Sequence, residues 1–201
     1  MTEEITRGPV LPGDRAPNFV LPAVSREGTV ALESYRGRGP ALVAFFRGLH
    51  CPFCRRHITQ LGAVDEQLRT KGVETIGIVN AEPERARLYL RYRPTGATLA
   101  ADPVSATHRA FGLPILHGNF PADFPLSVKF RGVFHLMDGF KATEADKRVA
   151  ETNPSMLVGQ FLVDGAGIVR EAFLEAKTGM SDFGKFPSVA DFIAAAAKIA
   201  A

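Results

Sequence analysis

The sequence is poor in cysteine: its 201 residues include only Cys51 and Cys54. Two cysteines are too few for the disulfide framework that stabilises small secreted domains. They share one Cys-x-x-Cys motif, with Pro52 and Phe53 between them. In a reducing compartment such a pair is more typical of reactive thiols than of structural ones. We therefore expect this motif to carry the chemistry of the protein.

Long hydrophobic runs are also missing. No stretch approaches the roughly 18 apolar residues of a membrane-spanning helix, so we expect no membrane association. Residues 1–14 contain two glutamates and no apolar core segment, which is not the pattern of a secretory signal. These two observations predict a cytoplasmic protein.

Neither sign of charge is in large excess. The chain has 24 basic and 21 acidic residues, a net charge of +3, and its basic residues are scattered. No basic stripe interleaved with aromatic residues is present, so we do not expect nucleic-acid binding. The apolar fraction of 46% suits a soluble globular protein. The length favours one domain over residues 1–201, with an insertion in it.

Hydrophobic patterning predicts alternating strands and helices in the first half of the chain. The predicted strands are Ala41–Phe46, Val73–Val79 and Thr98–Ala101, and the predicted helices are residues 51–71, Glu82–Tyr92 and Ser105–Phe111. The run Ala41–Phe46 is apolar throughout, as expected for a strand buried on both faces.

Two hairpins and a final helix complete the predicted pattern. The hairpins join 18–21 to 29–32 and 160–163 to 168–173, and the helix begins at Ser188 with Asp191 placed for a capping box. Together these elements indicate an α/β sandwich. The pattern breaks between residues 113 and 154, where five phenylalanines lie among prolines and glycines. We interpret 113–154 as an insertion with one helix near 143–150.

The position of the Cys-x-x-Cys motif assigns different properties to its two thiols. Cys51 lies at the N-terminus of a predicted helix, where free backbone N–H groups and the helix dipole stabilise a thiolate. Its pKa should therefore be lowered. Cys54 lies one turn deeper and should keep the higher pKa. We therefore expect Cys51 to attack and Cys54 to resolve the resulting mixed disulfide or sulfenic acid.

Three neighbouring side chains could assist. Arg47, His50 and Arg55 flank the motif and could raise the local positive potential. The competing interpretation makes both arginines solvated charges at a helix start, which is the more common situation. His50 is equally well interpreted as a bystander or as a base.

Other interpretations of these residues remain open. The two cysteines could be buried thiols that only pack. Cys51, Cys54 and His57 could bind zinc, but a zinc site needs four ligands and the sequence has no second cysteine pair. We therefore expect no metal and no cofactor. His108, His117 and His135 have no partner in the sequence and are interpreted as surface or core residues.

Three stretches of the chain resemble a known family. They are residues 12–22, residues 41–61 and residues 159–165. They are similar to the thioredoxin-fold superfamily, and within it to peroxiredoxin-like proteins of the alkyl hydroperoxide reductase/thiol-specific antioxidant group. The resemblance implies a thioredoxin-like α/β sandwich: a central mixed sheet flanked by helices, an N-terminal β-hairpin and an insertion before the last hairpin.

The chain departs from that family at three positions. Typical members have a proline seven residues, and a threonine three residues, before the peroxide-reducing cysteine. Here those positions hold Ala44 and Gly48. The family also has an arginine three residues before the phenylalanine of the late strand, where this chain has Val158. The chain therefore resembles an atypical branch that carries a Cys-x-x-Cys motif.

The resemblance implies an oxidoreductase that reduces peroxides or disulfides and is recycled by a thiol reductant such as thioredoxin or glutathione. It also implies a possible homodimer, since clustered phenylalanines need to be covered. The alternative is a redox-sensing or partner-binding module whose insertion contacts another protein. The missing threonine and arginine favour disulfide exchange, whereas the opening motif favours peroxide.

Overall fold

The computed structural model describes residues 8–116, 124–130, 139–141, 143, 144, 146, 148 and 156–199. The strands are β1 Val20–Pro22, β2 Thr29–Ala31, β3 Ala41–Phe46, β4 Glu74–Val79, β5 Thr98–Ala101, β6 Gly159–Val163 and β7 Val169–Leu174. The helices are α1 Pro52–Arg69, α2 Pro83–Tyr92, α3 Ala106–Ala110 and α4 Val189–Ala197, with 3-10 turns at Leu32–Tyr35 and Met180–Asp182. The predicted elements outside residues 113–154 are therefore present, with boundaries that differ by at most about two residues.

The central sheet has five strands in the order β5-β4-β3-β6-β7. Strands β3, β4 and β5 are parallel, whereas β6 runs antiparallel to β3 and β7 antiparallel to β6. All six residues of β3 are buried, because this strand is central and both faces of the sheet are covered. The expected α/β sandwich around a mixed sheet is confirmed.

The helices α1 and α4 pack on one face of the sheet. The buried side chains of α1 recur at helical spacing on this face: Ile58, Leu61, Val64 and Leu68. Gly77 of β4 lets α1 approach closely, because a Cβ there would lie only 3.0 Å from Leu61 Cδ2. The other face is covered by residues 10–32 and by Phe111, which follows α3. Within the described part of the chain, no helix is both long and apolar enough to span a membrane.

The turn signals in the sequence have the predicted effects. β1 pairs antiparallel with β2, and Leu21 lies opposite Val30. In the hairpin between β6 and β7, Asp164 Oδ1 accepts the N–H groups of residues 166 and 168, each at 2.9 Å. At the start of α4, Ser188 and Asp191 form the predicted capping box. Short polar side chains therefore fix the turn between β6 and β7 and the start of α4 by binding free backbone N–H groups.

The predicted insertion lies partly outside the described residues. Its ends meet, since Ile115 and Met156 form an antiparallel bridge. Residues 126–130 are helical, and so are residues 144, 146 and 148 within the predicted helix near 143–150. The remainder of that helix, together with His117 and His135, lies outside the described residues. The single-domain organisation with an insertion at 113–154 stays a prediction.

We predict that Leu61→Ala lowers the free energy of unfolding by about 2–5 kcal/mol, because it leaves a cavity between α1 and β4. Leu61 is fully buried, whereas Leu88 of α2 is 38% exposed and serves as the matched control. The measurement is urea unfolding monitored by circular dichroism. An equal loss for Leu61→Ala and Leu88→Ala would contradict this assignment of the core.

Candidate active site

The candidate site lies where the central strand β3 meets the N-terminus of α1. Four residues, 47–50, connect the end of β3 to Cys51, which is the N-cap of α1. The Cys51 Sγ accepts the backbone N–H of Cys54 at 3.4 Å, and Pro52 occupies the first helical turn. This N–H is one of the donors that a helix start leaves without a backbone partner. The predicted position of Cys51 at the helix N-terminus is therefore confirmed.

The two thiols are free, close together and differently shielded. Cys51 is 6% exposed, whereas Cys54 is completely buried. Burial raises the pKa of the Cys51 thiol. The Cys54 thiol and backbone N–H and the Arg47 charge together outweigh burial and hold this pKa well below its usual range. Burial and the hydrogen bond to Cys51 raise the pKa of Cys54 well above its usual range. The order of acidity is the predicted one.

Arg47 is not a solvated charge at a helix start, so the commoner interpretation of this residue is wrong. It is the first residue after β3, and its side chain is only 3% exposed. The guanidinium forms a two-point ion pair with Glu175, with Nη2 3.0 Å from Oε1. Its carbon also lies 4.3 Å from the centre of the Phe183 ring. A buried arginine needs such partners, because charge is costly to remove from water.

Arg55 is buried as well, so the solvated interpretation is also wrong here. Its Nη1 donates to the backbone carbonyls of Leu49 and His50, at 2.8 and 3.4 Å. The guanidinium carbon lies 4.7 Å from the centre of the Phe140 ring. Arg55 therefore braces the loop before Cys51 and packs against Phe140. This contact favours a structural role over a direct one at the thiol.

His50 lies next to Cys51 and is partly buried. Burial lowers the pKa of its imidazole below the usual value and outweighs the opposing effect of Cys51, while Arg47 lowers it further. The ring is therefore mainly neutral at neutral pH. A neutral imidazole can accept or donate a proton, so both sequence interpretations of His50 remain compatible with its position.

Sequence reasoning missed Glu175, which follows β7 and lies 128 residues from its partner Arg47. Besides the ion pair, its carboxylate accepts the N–H of Val158 at 3.1 Å and the N–H of Gly184 at 2.7 Å. No local pattern marks this residue, because its partners come from three distant segments. The one available signal was Arg47 itself, since a cation placed directly after a fully buried strand requires a counter-charge.

His57 and His108 are both buried and pack against aromatic rings. His57 is buried and stacks on Phe186, with ring centres 4.6 Å apart. His108 is buried behind β3, where its Nε2 lies 3.2 Å from the Phe46 carbonyl oxygen. Among the residues that the structure describes, no three His, Cys, Asp or Glu side chains cluster as a metal site would require. His108 is therefore a core histidine, one of the two roles expected for it.

Comparison with known proteins identifies the family. The model of the AhpC/TSA family matches residues 12–172. The chain belongs to the AhpC/TSA family. No curated protein matches the sequence significantly.

Several solved structures share the fold of this chain. Peroxidoxin BcpB from Mycobacterium tuberculosis is 13% identical, with a TM-score of 0.63 over 94% of this chain and 97% of its own. The reduced 2-Cys peroxiredoxin from Plasmodium vivax is 16% identical, with a TM-score of 0.65 over 94% and 96%. A putative thiol:disulfide interchange protein DsbE from Chlorobium tepidum is 21% identical, with a TM-score of 0.54 over 92% and 97%. The thioredoxin-like, peroxiredoxin-like fold is therefore confirmed.

The backbone explains why this AhpC/TSA protein has glycine three residues before Cys51. Gly48 has φ +134°, a conformation that residues with a side chain rarely adopt. A Cβ here would also lie 2.5 Å from the carbonyl oxygen of Asn80 and 3.1 Å from the His50 ring. A threonine hydroxyl cannot occupy this position without moving the loop.

We predict that Gly48→Ala slows alkylation of Cys51 by iodoacetamide at neutral pH and destabilises the fold, because the new Cβ displaces the loop. The matched control is Gly13→Ala. Gly13 also has a positive φ, +100°, but a Cβ there meets no atom within 4 Å. The Gly13→Ala variant therefore has the backbone strain of a positive φ without the steric clash that a Cβ makes at position 48. Equal effects of the two substitutions on Cys51 labelling would contradict this explanation of Gly48.

Proposed function

We propose that the protein is a thiol-dependent oxidoreductase in which Cys51 attacks the substrate and Cys54 resolves the product. The observation that carries the proposal is the Cys51 Sγ at the N-terminus of α1, 3.4 Å from the Cys54 N–H. This geometry keeps the thiols adjacent, and their pKa values are shifted in opposite directions. Such an asymmetry suits a nucleophile and its resolving partner. Membership of the AhpC/TSA family supports a thiol-based redox function.

The limited access to Cys51 favours a small hydroperoxide as the substrate. Cys51 is 6% exposed, which leaves little surface for the disulfide of a folded protein. The side chains around the motif are bulky: Phe53 and Phe183 pack edge to face, with ring centres 5.5 Å apart. Two relatives of known structure are named a peroxidoxin and a 2-Cys peroxiredoxin, in agreement with this substrate class.

The proposed cycle has three steps. The Cys51 thiolate attacks one oxygen of the hydroperoxide, so that the O–O bond breaks, Cys51 becomes a sulfenic acid and an alcohol leaves after taking up a proton. The Cys54 thiol then attacks the Cys51 sulfur, which forms the disulfide and releases water. Finally a dithiol reductant such as thioredoxin, or two molecules of glutathione, reduces the disulfide and is itself oxidised.

Arg47 and His50 are proposed to assist the first step. Arg47 places a permanent positive charge in the site, which stabilises the thiolate and the oxyanion that develops on the leaving oxygen. His50 is neutral and next to Cys51, so it can supply or remove a proton as the cycle requires. Arg55 acts indirectly, through the loop that it braces.

Thiol–disulfide exchange is the second candidate, and a specific observation favours it. The two family positions that would carry a threonine and an arginine are Gly48 and Val158, and neither can donate a side-chain hydrogen bond to a peroxide. One structural relative is named a thiol:disulfide interchange protein. In this alternative the same two cysteines act in the same order on a disulfide.

We predict that Cys51→Ser abolishes turnover of hydrogen peroxide, whereas Cys54→Ser reacts once and stops with a sulfenic acid on Cys51. Stopped-flow mixing followed by trapping with dimedone and mass spectrometry measures both results. The two cysteines are the only ones in the chain, so no third thiol contributes a background. Peroxide consumption by Cys51→Ser at the wild-type rate would contradict the proposal.

Stopped-flow mixing also distinguishes between a hydroperoxide and a protein disulfide as the substrate. Reduced wild-type protein is mixed with hydrogen peroxide in one arm and with an oxidised dithiol protein in the other. We expect the peroxide to oxidise Cys51 faster at equal concentration. Faster reaction with the protein disulfide would assign the site to disulfide exchange instead.

A further inference from the structure

Glu175 is a fully buried carboxylate that joins three segments around the cysteines. Its side chain has no exposed surface, and each of its oxygens has two partners. Oε1 accepts from Arg47 Nη2 at 3.0 Å and from the Gly184 N–H at 2.7 Å. Oε2 accepts from Arg47 Nη1 and, at 3.1 Å, from the Val158 N–H. The carboxylate therefore connects the end of β3, the start of β6 and the loop after β7.

The ion pair between Glu175 and Arg47 is not explained by stability alone. Removing both charges from water costs several kcal/mol per ion, and a buried pair is often no more stabilising than apolar residues of the same size. What such a pair does provide is geometry, because the planar guanidinium and the carboxylate bind each other at two points in one orientation.

The surroundings of Arg47 leave its guanidinium little freedom once this pair is made. Phe183 covers one face at 4.3 Å from the ring centre, and Nη1 also lies 3.5 Å from the Met156 carbonyl oxygen. Gly184, whose N–H binds Glu175, has φ +73°, and a Cβ there would lie 2.5 Å from the Phe53 ring. Phe53 lies between the two cysteines in the sequence. The same carboxylate therefore fixes the cation and the loop that covers the motif.

We propose that Glu175 is a positioning residue for the reaction of Cys51: its two-point pair fixes the guanidinium of Arg47, the residue four positions before the thiol. This role rests on the proposed function of Cys51 as the attacking thiol. Position 158, where the family has its arginine, instead contributes a backbone N–H to Glu175.

A positioning role and a simple charge effect predict opposite signs. A carboxylate near a thiolate repels it, so removing the charge of Glu175 would by itself lower the pKa of Cys51. If Glu175 holds Arg47 in place, removing it releases the cation, and the pKa of Cys51 rises. The direction of the shift therefore decides between the two.

The test measures alkylation of Cys51 by iodoacetamide from acid to alkaline pH, with peptide mass spectrometry to separate the two cysteines. Glu175→Gln keeps the size of the side chain, but its amide cannot accept from both guanidinium nitrogens. We expect its Cys51 rate, at a pH below the titration midpoint of the wild-type thiol, to fall about tenfold for each unit by which the pKa rises. The matched control is Glu171→Gln, since Glu171 lies in β7, four residues before Glu175, but pairs at the surface with Lys198. We expect its Cys51 rate to equal that of wild type.

A second variant keeps the test decisive if Glu175→Gln does not fold. Arg47→Lys retains both charges and leaves no unpaired buried ion, but a lysine cannot form the two-point pair. We expect slower labelling of Cys51 in this variant too. A faster or unchanged rate in Glu175→Gln, or an unchanged rate in Arg47→Lys, would overturn the proposal. The readout is independent of any substrate, so failure of wild-type protein to turn over peroxide would count against the proposed function and not against this role.

Discussion

The site depends on one constraint: the central strand β3 ends directly before the N-terminus of α1. Because β3 is buried on both faces, its end is fixed by the sheet, and the four residues that follow have little freedom. They bring Arg47 to one side of the helix start and Cys51 to its N-cap. The free N–H groups of the helix and the guanidinium then act on the same sulfur. A thiolate is thereby stabilised in a place where burial alone would oppose it.

This arrangement has a structural cost that other parts of the chain offset. The cation needs a counter-ion, which Glu175 provides from the position directly after the edge strand β7. The loop needs a residue without a side chain, which is why Gly48 lies against the Asn80 carbonyl. Arg55 braces the same loop and also packs against the ring of Phe140. The site is therefore held by Glu175, which follows β7, and by Phe140, as well as by the Cys-x-x-Cys motif itself.

Local patterns were enough to predict the elements that build the site, because their causes are local. The apolar run Ala41–Phe46 and the helix that begins at Pro52 could both be read from neighbouring residues, and so could the place of Cys51. The environment of Arg47 could not be predicted in this way. Its partner Glu175 is 128 residues away, and nothing in the sequence indicates which acidic residue pairs with a given arginine. The burial of Arg55 was missed for a similar reason: its carbonyl partners and Phe140 lie near it only in the folded chain.

The central claim is that the fold separates the acidities of two thiols that lie three residues apart. The most direct measurement is an NMR pH titration of reduced wild-type protein carrying isotope-labelled cysteine, which follows the side-chain carbons of Cys51 and Cys54 in one sample. The account predicts that Cys51 titrates well below the ordinary thiol range, because the helix start, the Cys54 thiol and Arg47 stabilise its anion. It predicts that Cys54 titrates well above that range, because it is buried and donates to Cys51. Titration of both thiols near about 8.5, the value of an unperturbed cysteine, or in the reverse order, would contradict it.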